Sequence, residues 1–394
     1  MTPSEQYIAN LCEESFLPFW SHPNPLGKKG KELCDLLVVC ENTIIIFSVK
    51  DIKVSEHQDR TIRYNRWVKN AVDSSLNQVF GAERYLNSVD NIKLKNRKTI
   101  VKLPPKKNRK IYRIAIAFGS EYDFPLPMGF DNRGFVHVFD EKSTAIIISE
   151  LDTITDFTRY LEAKEKFLES KYMLLPEETD LLALYIQTGL QFDYPVNLIA
   201  GSNGLWATYE KSEDYKNWRE QIKPSFIWDY MIKQLFDYHI DDNTNDETRN
   251  SYEEAVRLIN QESRINRIEL GISLDNAIKR KVNARILLIP DSTYLYIFMP
   301  LSSKNWKDKE LELELRCVVA KYLNPNVNTF IGIAIGNDGN NKSVFDIGYF
   351  HFPELSDEFI KLAKTVQKEY GYFNNPKFSK SSLYRDEKFN GFGL

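Results

Sequence analysis

Cysteine and histidine are scarce in this 394-residue chain, which has four of one and five of the other. Cys12, Cys34, Cys40 and Cys317 fall mostly in apolar stretches and form no CxxC pair. That excludes a disulfide scaffold, argues against a zinc knuckle, and reads as reduced core thiols of a cytoplasmic protein. His22, His57, His137, His239 and His351 are too scattered for a histidine metal site. Charge of one sign is also missing. Lys and Arg number 52 against 55 Asp and Glu, a formal net charge of −3, so any nucleic-acid surface has to be local. Long hydrophobic runs are absent: LLVV and TIIIF are far too short to cross a bilayer, and no membrane association is expected. The opening MTPSEQY has no basic region followed by an apolar run, so no signal peptide is expected. There is no internal repeat, no coiled coil, and no serine or cysteine nucleophile in a recognisable setting. GIAIGNDGNN (332–341) is glycine-rich but runs into a strand-like segment, so it reads as a hairpin turn and not a phosphate loop.

What is present is an α/β pattern long enough for two domains. Ser4–Glu5 opens a helix to about Leu17, and SHPNPLGKKGK (21–31) is a Pro/Gly loop. A hairpin follows, then a polar stretch and a helix over 66–89. Strands are expected at 112–117, 135–139 and 145–148, and a helix at 154–170. A boundary near 170–178 separates an N-terminal domain, 1–172, from a C-terminal α/β domain, 173–394. The second half reads as helices at 178–190 and 213–239, a surface loop at 239–250, and a helix at 251–262. Hairpins turning at Asp291–Ser292 and at the Asn/Gly-rich stretch GNDGNN (336–341) flank a helix at 308–322. Trp206, Trp218, Phe226, Trp228, Tyr230 and Phe236 read as core and not as a base-stacking platform. No convergent acid, base and nucleophile set is placed in this half.

The hairpin GKELCDLLVVCENTIIIFSVKD (30–51) carries the functional signal. With a two-residue turn at Glu41–Asn42, Cys40 pairs with Thr43, Asp35 falls opposite Ser48, and Leu33 falls opposite Lys50. An acid, a hydroxyl and an amine then share one side, while Leu36, Val38, Ile45 and Phe47 make the other side wholly apolar. Burying an unpaired carboxylate or ammonium costs several kcal/mol or more. Either Asp35 and Lys50 form a structural ion pair, or they face a cleft and do chemistry. Metal-dependent phosphodiester hydrolysis needs just such a carboxylate for a divalent cation and a lysine near the developing phosphate charge.

The order of Glu13 or Glu14 on a first helix, Asp35 on a strand and Lys50 on the next strand resembles the PD-(D/E)xK nuclease superfamily, the restriction-endonuclease-like fold. Gln78 on the following helix resembles the extra glutamine of its RecB-like branch. The stretches LCEESFLPFWSHPNP, GKELCDLLVV, IIIFSVKD and NQVFGAERYL look like a family of bacterial proteins with this core, some linked to phage defence. The resemblance covers roughly residues 5 to 90. It implies an α/β/α nuclease core binding Mg²⁺ or Mn²⁺ through Asp35 and one of Glu13 and Glu14. It also implies a transition-state role for Lys50, a water-holding role for Ser48 and an orienting role for Gln78. The implied substrate is nucleic acid, DNA ahead of RNA, and a defence-system partner protein is a further expectation. The sequence departs from the pattern twice: Ser48 replaces the usual acid two residues before the lysine, and Ala82 stands where the RecB-like branch has tyrosine, with Tyr85 one turn further on. Asp51 cannot replace the missing acid because it points to the other face of its strand. The alternative is a nuclease fold without its metal site, binding nucleic acid or a partner protein. Finally, KLKNRKTIVKLPPKKNRKIYR (93–113) is the most basic stretch, and Lys106, Lys107, Arg109 and Lys110 are its candidate phosphate contacts.

Overall fold

Strand β2 (Leu36–Cys40) turns through Glu41–Asn42 into β3 (Thr43–Asp51), with Cys40 opposite Thr43 and Leu36 opposite Phe47, the register expected from the sequence. Glu41 takes up a left-handed backbone at the turn (φ 51°). The computed structural model describes all residues except 97, 122–123, 128, 171, 175–176, 193–197, 201–203, 240–243, 280–283, 290–291, 338–342 and 375–394. The expected turns at Asp291–Ser292 and in the Asn/Gly-rich stretch 336–341 therefore lie partly outside the described residues.

Five strands make the first sheet. β1 (Ser21–Pro23) pairs antiparallel with β2, and β3 runs parallel to β4 (Lys110–Phe118), which runs parallel to β5 (His137–Phe139). Period-2 alternation splits the side chains between two cores. One face sends Leu36, Val38, Ile45, Phe47 and Ile114 against α1 (Pro3–Phe16), α4 (Glu141–Glu150) and α5 (Ile154–Ser170). The other sends Leu37, Val39, Ile44, Ile46 and Ala115 against a long helical run. That run is α2 (Arg60–Trp67), a π-helical turn (Val68–Asp73) and α3 (Ser74–Ser88). The first half is thus a three-layer α/β/α arrangement.

Two local expectations are corrected. Residues 145–148 are helical, not a strand. Asp140 accepts hydrogen bonds from the Ser143 N–H and hydroxyl, and this cap starts α4, burying Ile147 and Ile148 on the sheet despite their β propensity. The polar stretch before residue 66 holds α2, capped by the Asp59 carboxylate on the Thr61 and Ile62 amides.

The second half is built on a four-stranded sheet of β6 (Arg285–Leu287), β7 (Tyr294–Pro300), β8 (Thr329–Asn337) and β9 (Ser343–His351) in that order. β7 and β8 are parallel, joined through α9 (Lys309–Leu323). Helices α6 (Phe226–His239), α7 (Asp246–Gln261) and α8 (Arg264–Lys279) precede the sheet, and α10 (Asp357–Tyr370) follows it. α7 starts at Asp246, inside the expected surface loop over 239–250, of which residues 240–243 lie outside the described ones. The expected single helix over 213–239 is interrupted by a 3-10 turn, Lys223–Ser225, at Pro224.

The two halves share one continuous apolar core, in which Phe16 and Trp20 belong with Trp228, Ile259, Phe298 and Ile331. Trp20 Nε1 donates to Glu253 (3.2 Å), the Phe19 and Phe236 rings lie 5.1 Å apart, and Arg257 pairs with Glu41 (3.1 Å). Among the described residues no helix is long and apolar enough to cross a membrane.

Candidate functional site

Asp35 stands just before β2 and ends its pairing with β3. Its backbone N–H still donates to Phe47 (3.2 Å), but its carboxylate Oδ2 takes the Val49 N–H (2.5 Å) in place of a ladder carbonyl. This turns the carboxylate toward the α3 side of the sheet, where it is 3% exposed. Two residues along β3, alternation brings Ser48 and Lys50 to the same side.

Gln78, in the second turn of α3, connects the group. Its Oε1 accepts from Lys50 Nζ (2.8 Å) and from the Ser48 hydroxyl (2.7 Å), and its Nε2 donates to Asp35 Oδ1 (3.3 Å). Lys50 Nζ stands 3.7 Å from Asp35 Oδ2. Four residues singled out in the sequence are therefore brought together: Asp35, Ser48, Lys50 and Gln78. Ser48 is fully buried, while Lys50 keeps 27% of its side chain exposed, so the ammonium lies at the mouth of the cluster. Ala82 and Tyr85 pack in the core beneath α3 and take no part.

The helix glutamates are placed elsewhere. Ser4 at the start of α1 donates to Asp51 Oδ2 (2.5 Å), so α1 begins at the cluster's end of β3 but on the opposite face from Ser48 and Lys50. From there α1 runs away toward β1, where the Cys12 carbonyl accepts from the Ser21 hydroxyl. Glu13 and Glu14 are exposed on its last turns, about 15 Å along the axis from Ser4 at 1.5 Å per residue. The helix assigned them a sequence position but could not say which sheet face it covers. Asp51 does point away from the cluster, as alternation requires.

A carboxylate the sequence did not single out lies at the site. Glu32 lies near enough to Asp35 that its pKa is raised, by burial first and by the Asp35 charge second. The Glu5 charge, in the first turn of α1, adds to this, and the Met1 amine opposes it. Glu32 comes from the irregular loop before Leu33, where no periodicity assigns a face. Its one sequence signal is an acid three residues before Asp35.

The oxygen-rich donor set suits a hard cation. Mg²⁺ and Mn²⁺ sites use one or two carboxylates and retain several waters, and the adjacent Glu32 and Asp35 carboxyls meet that need. Among the described residues, no group of three or more His, Cys, Asp or Glu converges as a metal site.

The basic stretch divides. Arg109 is not a surface contact: its guanidinium, 2% exposed, donates to the carbonyls of Leu86 (2.5 Å), Val89 (3.0 Å) and Pro104 (2.7 Å), closing the C-terminal end of α3. Lys106 lies near Asp90 (3.7 Å) and Lys110 near Glu162 (3.2 Å). Lys107 is exposed in a 3-10 turn. The segment also lies at the wrong end of the sheet. Lys110 pairs with Thr43 and Ala117 with Lys50, so seven residues, about 23 Å at 3.3 Å each, separate it from the cluster.

Comparison with protein-family models and with curated proteins finds no match to this chain.

Proposed function

We propose that the protein is a metal-dependent nuclease that hydrolyses phosphodiester bonds of nucleic acid at the Asp35 cluster. The observation that carries this reading is the convergence of Asp35, Lys50 and Gln78 at the C-terminal end of β3, with Glu32 against Asp35. Asp35 and Glu32 would hold Mg²⁺ or Mn²⁺. A cation bound there supplies Lewis acidity toward the phosphate and lowers the pKa of a coordinated water.

The chain's own groups do the rest. The Lys50 ammonium, at the exposed edge, offers a compact positive charge where the phosphate gains negative charge. Gln78 fixes that ammonium through Oε1 and holds Asp35 through Nε2, so the carboxylate and the ammonium are kept at ion-pair distance on one amide. The Ser48 hydroxyl donates to the same Oε1, taking up by hydrogen bonding the place where the superfamily carries an acid.

A second reading is supported by one observation. Both Asp35 oxygens already have partners within the chain, as does the Ser48 hydroxyl, and a closed network of this kind would also suit a nuclease fold that only binds. The test is cleavage of labelled DNA and RNA with Mg²⁺ or Mn²⁺ by the full chain and by Lys50→Ala. Cation-dependent cleavage that falls by roughly 10²–10³ in the variant supports catalysis. Binding with no cleavage in the parent supports the second reading.

A further inference from the structure

The β1–β2 connection is a second small hairpin, built on the Asp35 end of the sheet. Asn24 donates to the Asp35 carbonyl (3.0 Å), Leu33 to Pro25 (2.8 Å) and Gly27 to Lys31 (2.7 Å), and Leu26 bridges Glu32. The tip turns through Lys29 (φ 57°) and Gly30 (φ 72°), both left-handed. A lysine is uncommon there, since its Cβ crowds the backbone that glycine accepts freely. The Leu26 N–H also donates to the Lys93 carbonyl (2.8 Å), which braces the finger from the side.

The finger carries Lys28, Lys29 and Lys31, all exposed, and among the described residues none of them has an ion pair. The nearest acid in sequence, Glu32, pairs through its backbone with Leu26 and feels the Asp35 charge. Lys29 is six residues from Asp35, so the chain places it at most about 20 Å away. The basic stretch at 106–110 differs on each count: Arg109 is buried, Lys106 and Lys110 have acids beside them, and the segment lies at the opposite end of the strands.

We propose that the Lys28–Lys31 finger is the surface that grips the nucleic-acid backbone beside the site, by charge on phosphates and not by reading bases. This rests on the nuclease reading, and it assigns the substrate contact within it. Three unpaired ammonium groups on a braced loop match a polyanion whose phosphates recur regularly, and a contact of this kind is independent of sequence.

The experiment compares the full chain with a finger variant, Lys28→Gln/Lys29→Asn/Lys31→Gln, and a control variant, Lys106→Gln/Lys107→Gln/Lys110→Gln. Asparagine is used at 29 because it tolerates the left-handed backbone. Fluorescence anisotropy of labelled mixed-sequence duplex DNA, with Ca²⁺ present and over a series of salt concentrations, reads affinity and its salt slope. Circular dichroism checks folding. The finger variant is expected to bind roughly tenfold or more weakly on every sequence, with the slope of log K against log salt reduced by about 2–3, at about 0.9 per lost contact. The control is expected to bind as the parent does. Unchanged affinity and slope in the finger variant, an equal loss in the control, or a loss confined to one sequence overturns the proposal. If the parent cleaves DNA and the finger variant cleaves and binds as well as the parent, the nuclease reading stands and the finger assignment falls. If the parent neither binds nor cleaves, both fall.

Discussion

Lys50 Nζ and Asp35 Oδ2 stand 3.7 Å apart, beyond hydrogen-bond length, and Gln78 touches both residues. The amide hydrogen-bonds both members of this ion pair. Gln78→Ala should therefore cost roughly 1.5–3 kcal/mol, since it removes bonds to two charged groups and to the buried Ser48 hydroxyl. A double-mutant cycle of Gln78→Ala with Lys50→Ala, read by urea denaturation, should show coupling of about 0.5–3 kcal/mol. Additive effects would mean the bridge does not form in solution.

Arg109 should behave as a structural residue. Arg109→Ala leaves the carbonyls of Leu86, Val89 and Pro104 without their donor, and the expected loss is about 2–4 kcal/mol. Nucleic-acid affinity per folded molecule should not change. A stable variant with weakened binding would reverse the assignment.

Acid should destabilise the fold through two buried histidines. Burial, aided by Arg249, lowers His22 from 6.5 to about 3, and burial with Lys164 and Arg113 nearby lowers His137 well below 6.5. As pH falls from 6.5 toward 3, the unfolded chain takes up protons that the folded chain refuses. Stability is thus fully present above about 6.5 and is lost on acidification, at about 1.4 kcal/mol per pH unit for each histidine. His22→Asn should reduce the slope of stability against pH between pH 6 and 4 by about that amount. An unchanged slope would show that His22 is protonated in the folded state.

The shared core predicts that the first half does not stand alone. A fragment of residues 1–172 uncovers Phe19 and Trp20 and loses the Glu253 and Arg257 contacts. It should bind a hydrophobic dye and unfold without the cooperativity of the full chain. A cooperative fragment of parental stability would restore two independent domains.

The hairpin was legible in the sequence because a two-residue turn fixes its register and alternation fixes its faces. The shared side of Asp35, Ser48 and Lys50 followed from that alone, and Gln78 came from the resemblance to the RecB-like branch. Glu32 was not legible, since a loop carries no period. The misplacement of Glu13 and Glu14 has a different cause: a helical wheel shows the buried side of α1 but not which sheet face receives it. Arg109 reads in the sequence as a phosphate contact because its three carbonyl partners come together only in the fold. In α4 the capping Asp140 outweighed a β-branched run.

The central claim is that Asp35 and Glu32 form a cation site. Calorimetric titration of the full chain with Mn²⁺, beside Asp35→Asn, Glu32→Gln and the pair Glu13→Gln/Glu14→Gln, tests it without relying on turnover. The account predicts Mn²⁺ binding in the parent, its loss in Asp35→Asn, a weakening of roughly tenfold or more in Glu32→Gln, and no change in the Glu13/Glu14 variant. A parent that binds no Mn²⁺ even with nucleic acid present, or an Asp35→Asn variant that binds it undiminished, would contradict the account.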